Sequence, residues 1–121
     1  MARCDQGYLC RICGAEVEDI VESELYLRFV IGEIDPETLH TQPECHLRCN
    51  PTLSQFISDD RFEPAVKVVG VFSKDTLDPN FVRERSTLIN LGYARLWEIM
   101  SDEVGITVIE YPLEVFRDRW S

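Results

Sequence analysis

The sequence predicts an α+β fold in which a zinc-knuckle N-terminal half packs with a βαβ-like C-terminal half. All 5 cysteines and both histidines of the 121 residues lie before residue 50, a pattern typical of a metal site rather than of scattered core cysteines. Two runs rich in β-branched residues, 65–72 and 105–111, flank a long helical pattern, and strand–helix–strand is typical of a right-handed crossover. We therefore expect a zinc-binding module at 1–60 and a strand–helix–strand–helix half at 61–121, joined as one compact unit.

Composition and charge exclude several classes of protein. Apolar residues make up 45% of the chain and aromatic residues 10%, which excludes a disordered chain. No apolar run reaches the roughly 18 residues that a membrane helix needs, and no signal-peptide stretch follows Met1, so we expect a cytoplasmic protein. With 12 Lys and Arg against 22 Asp and Glu, the net charge is −10. No basic cluster interrupts this acidity, so neither nucleic acid nor an anionic membrane is expected as a partner.

The N-terminal elements begin with a tight turn. Cys10-x2-Cys13 followed by Gly14 is the pattern of a zinc knuckle, because two thiolates reach one ion only across a turn that glycine can leave with positive φ. Polar and apolar residues alternate over 16–21, as in a short strand. Residues 23–34 fit either a strand or a helix, and we favour a helix that Ser23 caps and that ends near Gly32.

Proline marks two further helix starts in the first half. Asp35 and Pro36 predict a new helical turn, and Asn50 and Pro51 predict a capped helix. The second of these helices is expected to end near residue 60, and its apolar stripe comprises Leu53, Phe56 and Ile57.

The second half contains the predicted crossover. Residues 65–72 are expected to form a buried strand, Asp78 and Pro79 to open a long helix that runs to about residue 101, and 105–111 to form a second strand. Gly92 is a weak point at which the long helix is expected to kink. Pro112 starts a short last helix. The aromatic residues expected to share the core are Phe72, Trp97, Phe116 and Trp120.

The predicted metal ligands are Cys10, Cys13, His46 and Cys49, and the predicted ion is one structural zinc. His46-x2-Cys49 repeats the spacing of Cys10-x2-Cys13, and zinc binds Cys3His sets in a tetrahedron. Two alternatives stay open, because Cys45-x3-Cys49 is also an allowed spacing and His40 could supply the imidazole.

Other interpretations of these cysteines are less favoured than a metal site. A redox dithiol needs a βαβ context at the CxxC pair, and cysteines used as small apolar residues would not cluster in this way. Cys4 is expected to be a spare thiol. Arg11 and Arg48 each lie inside a ligand pair, and we expect them to offset the thiolate charge.

Residues 8–58 resemble the treble-clef and zinc-ribbon classes of zinc modules. The resemblance is carried by Cys10-Arg11-Ile12-Cys13-Gly14 and by His46-Leu47-Arg48-Cys49 leading into a helix. It implies a structural zinc ion whose second ligand pair lies at the start of that helix.

The sequence contains no persuasive catalytic motif, so we expect a small zinc protein with a protein-interaction or regulatory role and an unidentified protein partner. One alternative is a small-molecule site or enzyme at the ends of strands 65–72 and 105–111, where Ser73, Lys74 and Asp75 would meet Tyr111. A second, less favoured alternative is a zinc-knuckle nuclease in which His40 is the catalytic histidine.

Overall fold

The computed structural model of the chain describes residues 9–62, 66–101 and 105–116. Within these ranges the α-helices are α1 (Glu24–Val30), α2 (Pro36–Thr41), α3 (Pro51–Ser54) and α4 (Pro79–Ser101). Short 3-10 turns lie at Ile20–Glu22, Leu47–Cys49, Lys74–Thr76 and Val108–Glu110. Among the described residues, no helix has both the length and the apolar composition that crossing a membrane requires.

The predicted α+β class is wrong, because the described residues are mostly helical and form no β-sheet. Extended backbone pairs only at isolated bridges. The strand expected over 16–21 is reduced to one bridging residue, Glu16, before the chain enters the 3-10 turn Ile20–Glu22. The bridges join Leu9 with Glu16, Cys10 with Glu44 and Ser23 with His46.

The βαβ-like second half is also wrong, since neither predicted strand finds a partner within residues 9–62, 66–101 and 105–116. Residues 66–69 lie in no helix or strand, and the chain then turns at Gly70, whose φ is 95°. In the second run, Gly105 has a φ of 97° and Val108–Glu110 forms a 3-10 turn. Thr107 and Glu110 make a capping box there, with the Thr107 N–H 3.3 Å from Glu110 Oε1. This local polar bond favours a turn over the strand that the β-branched residues indicate.

The helix starts predicted at Ser23, Asp35 and Asn50 are confirmed, because each rests on a side chain that caps its own helix. The helix predicted from Pro112 is, within the described residues, a 3-10 turn at 114–116. Ser23 Oγ accepts a hydrogen bond from the Tyr26 N–H at 3.0 Å, so the 23–34 segment contains a helix, α1. Asp35 caps α2 and Asn50 caps α3 in the same way. However, α3 ends at Ser54, several residues before the predicted end, while α4 runs to Ser101 as predicted.

The core forms where α1 packs on α4. Leu27 of α1 and its C-cap residue Ile31 are fully buried there, as are Ile89 and Leu96 of α4. Gly92 does not interrupt α4; it lets the two helices approach, since a Cβ at this position would lie 2.5 Å from Ile31 Cγ2. The hydrophobic cluster draws residues from both sides of residue 60, and the division into 1–60 and 61–121 stays a prediction.

The expected aromatic core is only partly correct. Trp97 and Phe116 are half-buried and pack against the hydrophobic cluster. Phe72 is 65% exposed, because the segment that carries it is not a buried strand. Trp120 lies outside the described residues.

Candidate metal centre

The structure brings Cys10, Cys13, His46 and Cys49 together in an arrangement that could hold a metal ion. One potential ligand atom from each residue lies within 4.8 Å of all the others. His46 Nδ1 is 3.3 Å from Cys13 Sγ and 3.9 Å from Cys49 Sγ. The Cys10 side chain is buried, whereas that of Cys13 is exposed, so the cluster lies at the edge of the fold.

The first pair of cysteines lies on a short turn that closes on itself. The Cys10 N–H donates to the Ala15 carbonyl at 2.8 Å, and the Gly14 N–H donates to the Cys10 carbonyl at 2.9 Å. Gly14 has a φ of 78°, the left-handed conformation that its position in the motif predicts. The Ile12 N–H lies 3.4 Å from Cys10 Sγ and donates to it. The turn therefore holds both sulfurs on one side of the chain and stabilises a thiolate at Cys10.

The second pair is positioned by a strap of extended chain, residues 44–46, that runs between the knuckle and α1. The Arg11 N–H donates to the Glu44 carbonyl at 3.0 Å, and the Glu24 N–H donates to the Cys45 carbonyl at 2.8 Å. The His46 N–H lies 3.4 Å from Cys10 Sγ and donates to it. The strap thus carries His46 against the knuckle, and the following 3-10 turn Leu47–Cys49 brings in the Cys49 sulfur.

Two buried carboxyl groups fix the strap and the start of α3 to the start of α1. Ser23 Oγ donates to Glu44 Oε1 at 2.7 Å, and Asn50 Nδ2 donates to Glu24 Oε2 at 2.8 Å. Both glutamates are 3% exposed. Burial raises the pKa of Glu44, and the hydrogen bond from Ser23 opposes that rise. Sequence reasoning missed these positioning residues, because no spacing or periodicity marks a glutamate as buried.

The imidazole of His46 is oriented for metal binding through Nδ1. Its Nε2 lies 3.0 Å from the Glu16 backbone carbonyl, and Glu22 Oε1 is 3.9 Å from the same nitrogen. A carbonyl can only accept, so Nε2 donates to it, and Nδ1 is the nitrogen that faces the two sulfurs. A hydrogen bond to the far ring nitrogen is the usual second-shell support of a metal-binding histidine.

The thiols in the cluster differ in acidity. Burial opposes ionisation of Cys10, but backbone N–H groups of Cys13, His46 and Ile12 outweigh it and lower its pKa to about 5. Burial, followed by the neighbouring Cys10 and Cys13 sulfurs, raises the pKa of Cys49 to about 12. Three sulfurs this close can all ionise only when a cation compensates their repulsion.

The alternative ligands predicted from the sequence have different positions. Cys45 is fully buried beside Cys10 and Val17, and its thiol donates to the His46 carbonyl at 3.3 Å. Burial, and after it the charges of Glu24 and Cys10, raise the pKa of Cys45 to about 12, while the charge of Arg11 acts in the opposite direction. Cys45 does not belong to the set of four found among the described residues.

His40 belongs to α2, and Cys4 lies outside the described residues. The guanidinium carbon of Arg48 lies 4.0 Å from the centre of the Phe62 ring. That Arg11 or Arg48 offsets thiolate charge stays a prediction.

The small-molecule site predicted at two strand ends is not formed, because the strands are absent from the described residues. Ser73 caps the 3-10 turn Lys74–Thr76, where Gln55 Oε1 accepts from the Lys74 N–H at 2.9 Å. Tyr111 is buried in the core instead. No sequence pattern points to this Gln55 contact.

A cavity of about 590 Å³ opens directly beside the candidate metal centre. Its walls include His46 and Cys49 on one side and three aromatic rings on the other, from Phe62, Tyr93 and Trp97. Tyr93 makes edge-to-face contacts with both other rings. This size and apolar lining are typical of small-ligand pockets, although the sequence did not point to this place.

Comparison with known protein families, with curated proteins and with solved structures finds no match to this chain. The resemblance to treble clefs and zinc ribbons is therefore not confirmed. What the structure supports is the coarser statement that residues 10–49 bring together a Cys3His cluster able to hold a metal ion.

Proposed function

We propose that this chain is a zinc protein in which one structural ion is bound by Cys10, Cys13, His46 and Cys49, and that the stabilised surface binds another protein. The observation that carries the metal assignment is the convergence of three sulfurs and one imidazole nitrogen within 4.8 Å. These four residues come from two segments that are separated by α1 and α2.

The distances fit a tetrahedral zinc site. With Zn–S near 2.3 Å and Zn–N near 2.1 Å, ligand atoms of a tetrahedron lie about 3.6–3.8 Å apart. The two measured sulfur–nitrogen distances, 3.3 and 3.9 Å, bracket that value. The largest separation in the cluster therefore needs to shrink by roughly 1 Å to admit the ion.

The donor set supports zinc and a structural role. Thiolates and imidazole suit zinc far better than calcium or magnesium, which take oxygen ligands. Four protein ligands leave no open position for a substrate or an activated water, as structural zinc sites do. The ion would join the knuckle to the strap and to the turn that precedes α3.

The proposed interaction role is supported by apolar side chains that reach solvent. Leu9 and Ile12 of the knuckle are 56% and 57% exposed, and Val69, Val71 and Phe72 are exposed still further. Exposed apolar residues that are grouped rather than scattered are a mark of protein-binding surfaces.

Metal content tests the first part of the proposal. Elemental analysis of the purified reduced chain is expected to give about one zinc per chain. Cys49→Ala is expected to abolish zinc binding, while Cys45→Ser is a matched control that removes a buried thiol next to the cluster and retains the ion. His46→Ala is expected to lose most of the affinity, since it leaves three ligands. A metal-free folded wild type, or zinc retained by His46→Ala and lost by Cys45→Ser, would contradict the assignment.

The cavity beside the metal centre favours a second candidate function, the binding of a small molecule. The guanidinium groups of Arg48 and Arg61 lie over the Phe62 and Trp97 rings, at 4.0 and 5.3 Å from the ring centres. Aromatic faces next to guanidinium groups suit a flat organic anion. A ligand-detected NMR screen of aromatic carboxylates tests this candidate, with Trp97→Ala expected to abolish any hit and exposed Leu91→Ala expected to retain it.

A further inference from the structure

Residues 66–72 expose apolar side chains on both sides of the turn at Gly70. Val69 is 91% exposed, Val71 77% and Phe72 65%. Before Gly70 the exposure alternates along the chain, since Val66 and Val68 are half-buried while Lys67 and Val69 face solvent. Alternation with period two is the pattern of a strand that packs one face and leaves the other uncovered.

The backbone of this segment is also open. Among the described residues, no hydrogen bond joins the N–H or carbonyl groups of Lys67, Val68 or Val69 to another part of the chain. The segment is held at its C-terminal end, where Gln55 Nε2 donates to the Phe72 carbonyl at 2.9 Å. A β-prone stretch with free backbone groups is a template on which another strand can pair.

The charge of the segment differs from that of the rest of the chain. The only two lysines of the sequence, Lys67 and Lys74, lie within residues 66–74, and this stretch contains no Asp or Glu. The whole chain carries a net charge of −10. Pairing with a second copy would bring like-charged lysines and two strongly acidic bodies together, whereas an acidic strand would be attracted.

We propose that residues 66–69 are a docking strand for an extended segment of another protein, one face of which carries an apolar residue and, two positions away, an Asp or Glu. The occupant pairs its backbone with residues 66–69, in the manner of β-strand addition. One of its apolar side chains covers Val69, and a carboxylate two positions away on the same face lies near Lys67. This inference rests on the proposed interaction role and gives that role a place and a partner chemistry, but it does not depend on the metal assignment.

Peptide binding tests the proposal directly. The probe is a fluorescein-labelled ten-residue peptide of repeating Thr-Val-Thr-Glu, in which Val and Glu alternate along one face (the Val/Glu peptide), titrated with the full chain and followed by fluorescence anisotropy. We expect saturable binding, at least tenfold weaker binding of a Val/Lys peptide, and at least tenfold weaker binding of a Val/Glu peptide N-methylated at alternate residues. The last control keeps the side chains and removes half of the backbone donors.

Matched variants locate the site on the chain. Val69→Asp is expected to weaken binding of the Val/Glu peptide at least tenfold, and Lys67→Glu several-fold. Val115→Asp is the control, because Val115 is 79% exposed elsewhere on the chain and its loss is expected to leave binding unchanged. Circular dichroism and zinc content are measured on every variant, so that loss of binding by a folded variant is separated from unfolding.

Three outcomes would overturn the proposal. The first is no saturable binding of the Val/Glu peptide to the folded chain, and the second is equal binding by wild type and Val69→Asp. The third is a wild-type dimer in sedimentation that Val69→Asp makes monomeric, because a second copy would then occupy the strand. Peptide binding by a chain that contains no zinc would uphold the docking strand and refute the metal assignment alone.

Discussion

Substitution of Gly92 by alanine tests how closely α1 and α4 pack. An alanine Cβ would lie 2.5 Å from Ile31 Cγ2 and 2.9 Å from Leu27 Cδ1. Both distances are shorter than a carbon–carbon contact allows, and both neighbouring side chains are fully buried. The Leu27 methyl is the end of a flexible side chain, but Ile31 Cγ2 is attached directly to Cβ, so the helices themselves would have to separate.

The expected free-energy change has two opposing parts. Overpacking a buried contact costs about 1–3 kcal/mol, and the severity of the Ile31 contact places Gly92→Ala in the upper part of that range. Replacing glycine by alanine inside a helix stabilises it by about 1 kcal/mol. We therefore expect Gly92→Ala to lower the free energy of unfolding by about 1–2 kcal/mol.

A double-mutant cycle separates the two parts. Ile31→Ala removes the Cγ2 atom, so in that background Gly92→Ala is expected to be neutral or to stabilise the protein, which reverses its sign. Urea unfolding followed by circular dichroism measures all four proteins, and the difference between Leu91→Ala and Leu91→Gly, at an exposed position of the same helix, measures the propensity part. Stabilisation of the wild type by Gly92→Ala, or an equal effect in both backgrounds, would refute the close approach.

Three further predictions follow from the site and its surroundings. Trp97→Ala is expected to cost about 2–3 kcal/mol in urea unfolding, below the 3–5 typical of fully buried aromatic residues, because Trp97 is half-buried; a near-neutral effect would contradict its packing on the cluster. In competition with a chelator, zinc affinity is expected to rise about tenfold per pH unit for each proton released, since the pKa of Cys49 is raised to about 12 and its thiol must ionise to bind; a pH-independent affinity would remove Cys49 from the ligand set. Binding to duplex or single-stranded DNA at physiological salt is expected to be weak because the net charge is −10, and tight, salt-sensitive binding would contradict that reasoning.

The sequence predicts correctly those features of the fold that arise from contacts between residues close along the chain. The caps of α1, α2 and α3 each consist of one side chain that bonds a backbone N–H three residues later, so Ser23, Asp35 and Asn50 mark the helix starts correctly. The Cys10–Cys13 turn is local in the same sense. The second pair of metal ligands is harder to predict, because spacing alone leaves Cys45 and His46 as alternatives. Only the position of the strap decides which of these side chains meets the knuckle.

The predicted strands failed because a strand needs a partner that no local pattern supplies. Residues 66–69 carry the β-branched side chains that favour a strand, yet nothing in the described chain pairs with them. Residues 105–111 contained a second, competing signal, Thr107-x-x-Glu110, which is the capping-box pattern and is present as such. That motif outweighs the β-branched content of residues 105–111 and favours a turn there over a strand.

The hydrogen bonds around the strap determine how many of the ligands are in place before the metal ion binds. Glu44 and Glu24 are buried and hydrogen-bonded to Ser23 and Asn50, and neither bond involves the proposed ligands. Partnered polar groups at a buried position specify one arrangement, since any other would leave a carboxyl group without a donor. His46 and Cys49 are therefore held near their final places by α1 and the α3 cap, whereas the turn that carries Cys10 and Cys13 closes on itself and bonds to the strap through Arg11 and Cys10. It follows that the ion chiefly secures the knuckle, and that the packing of α1 on α4 has its own source of stability in the hydrophobic cluster.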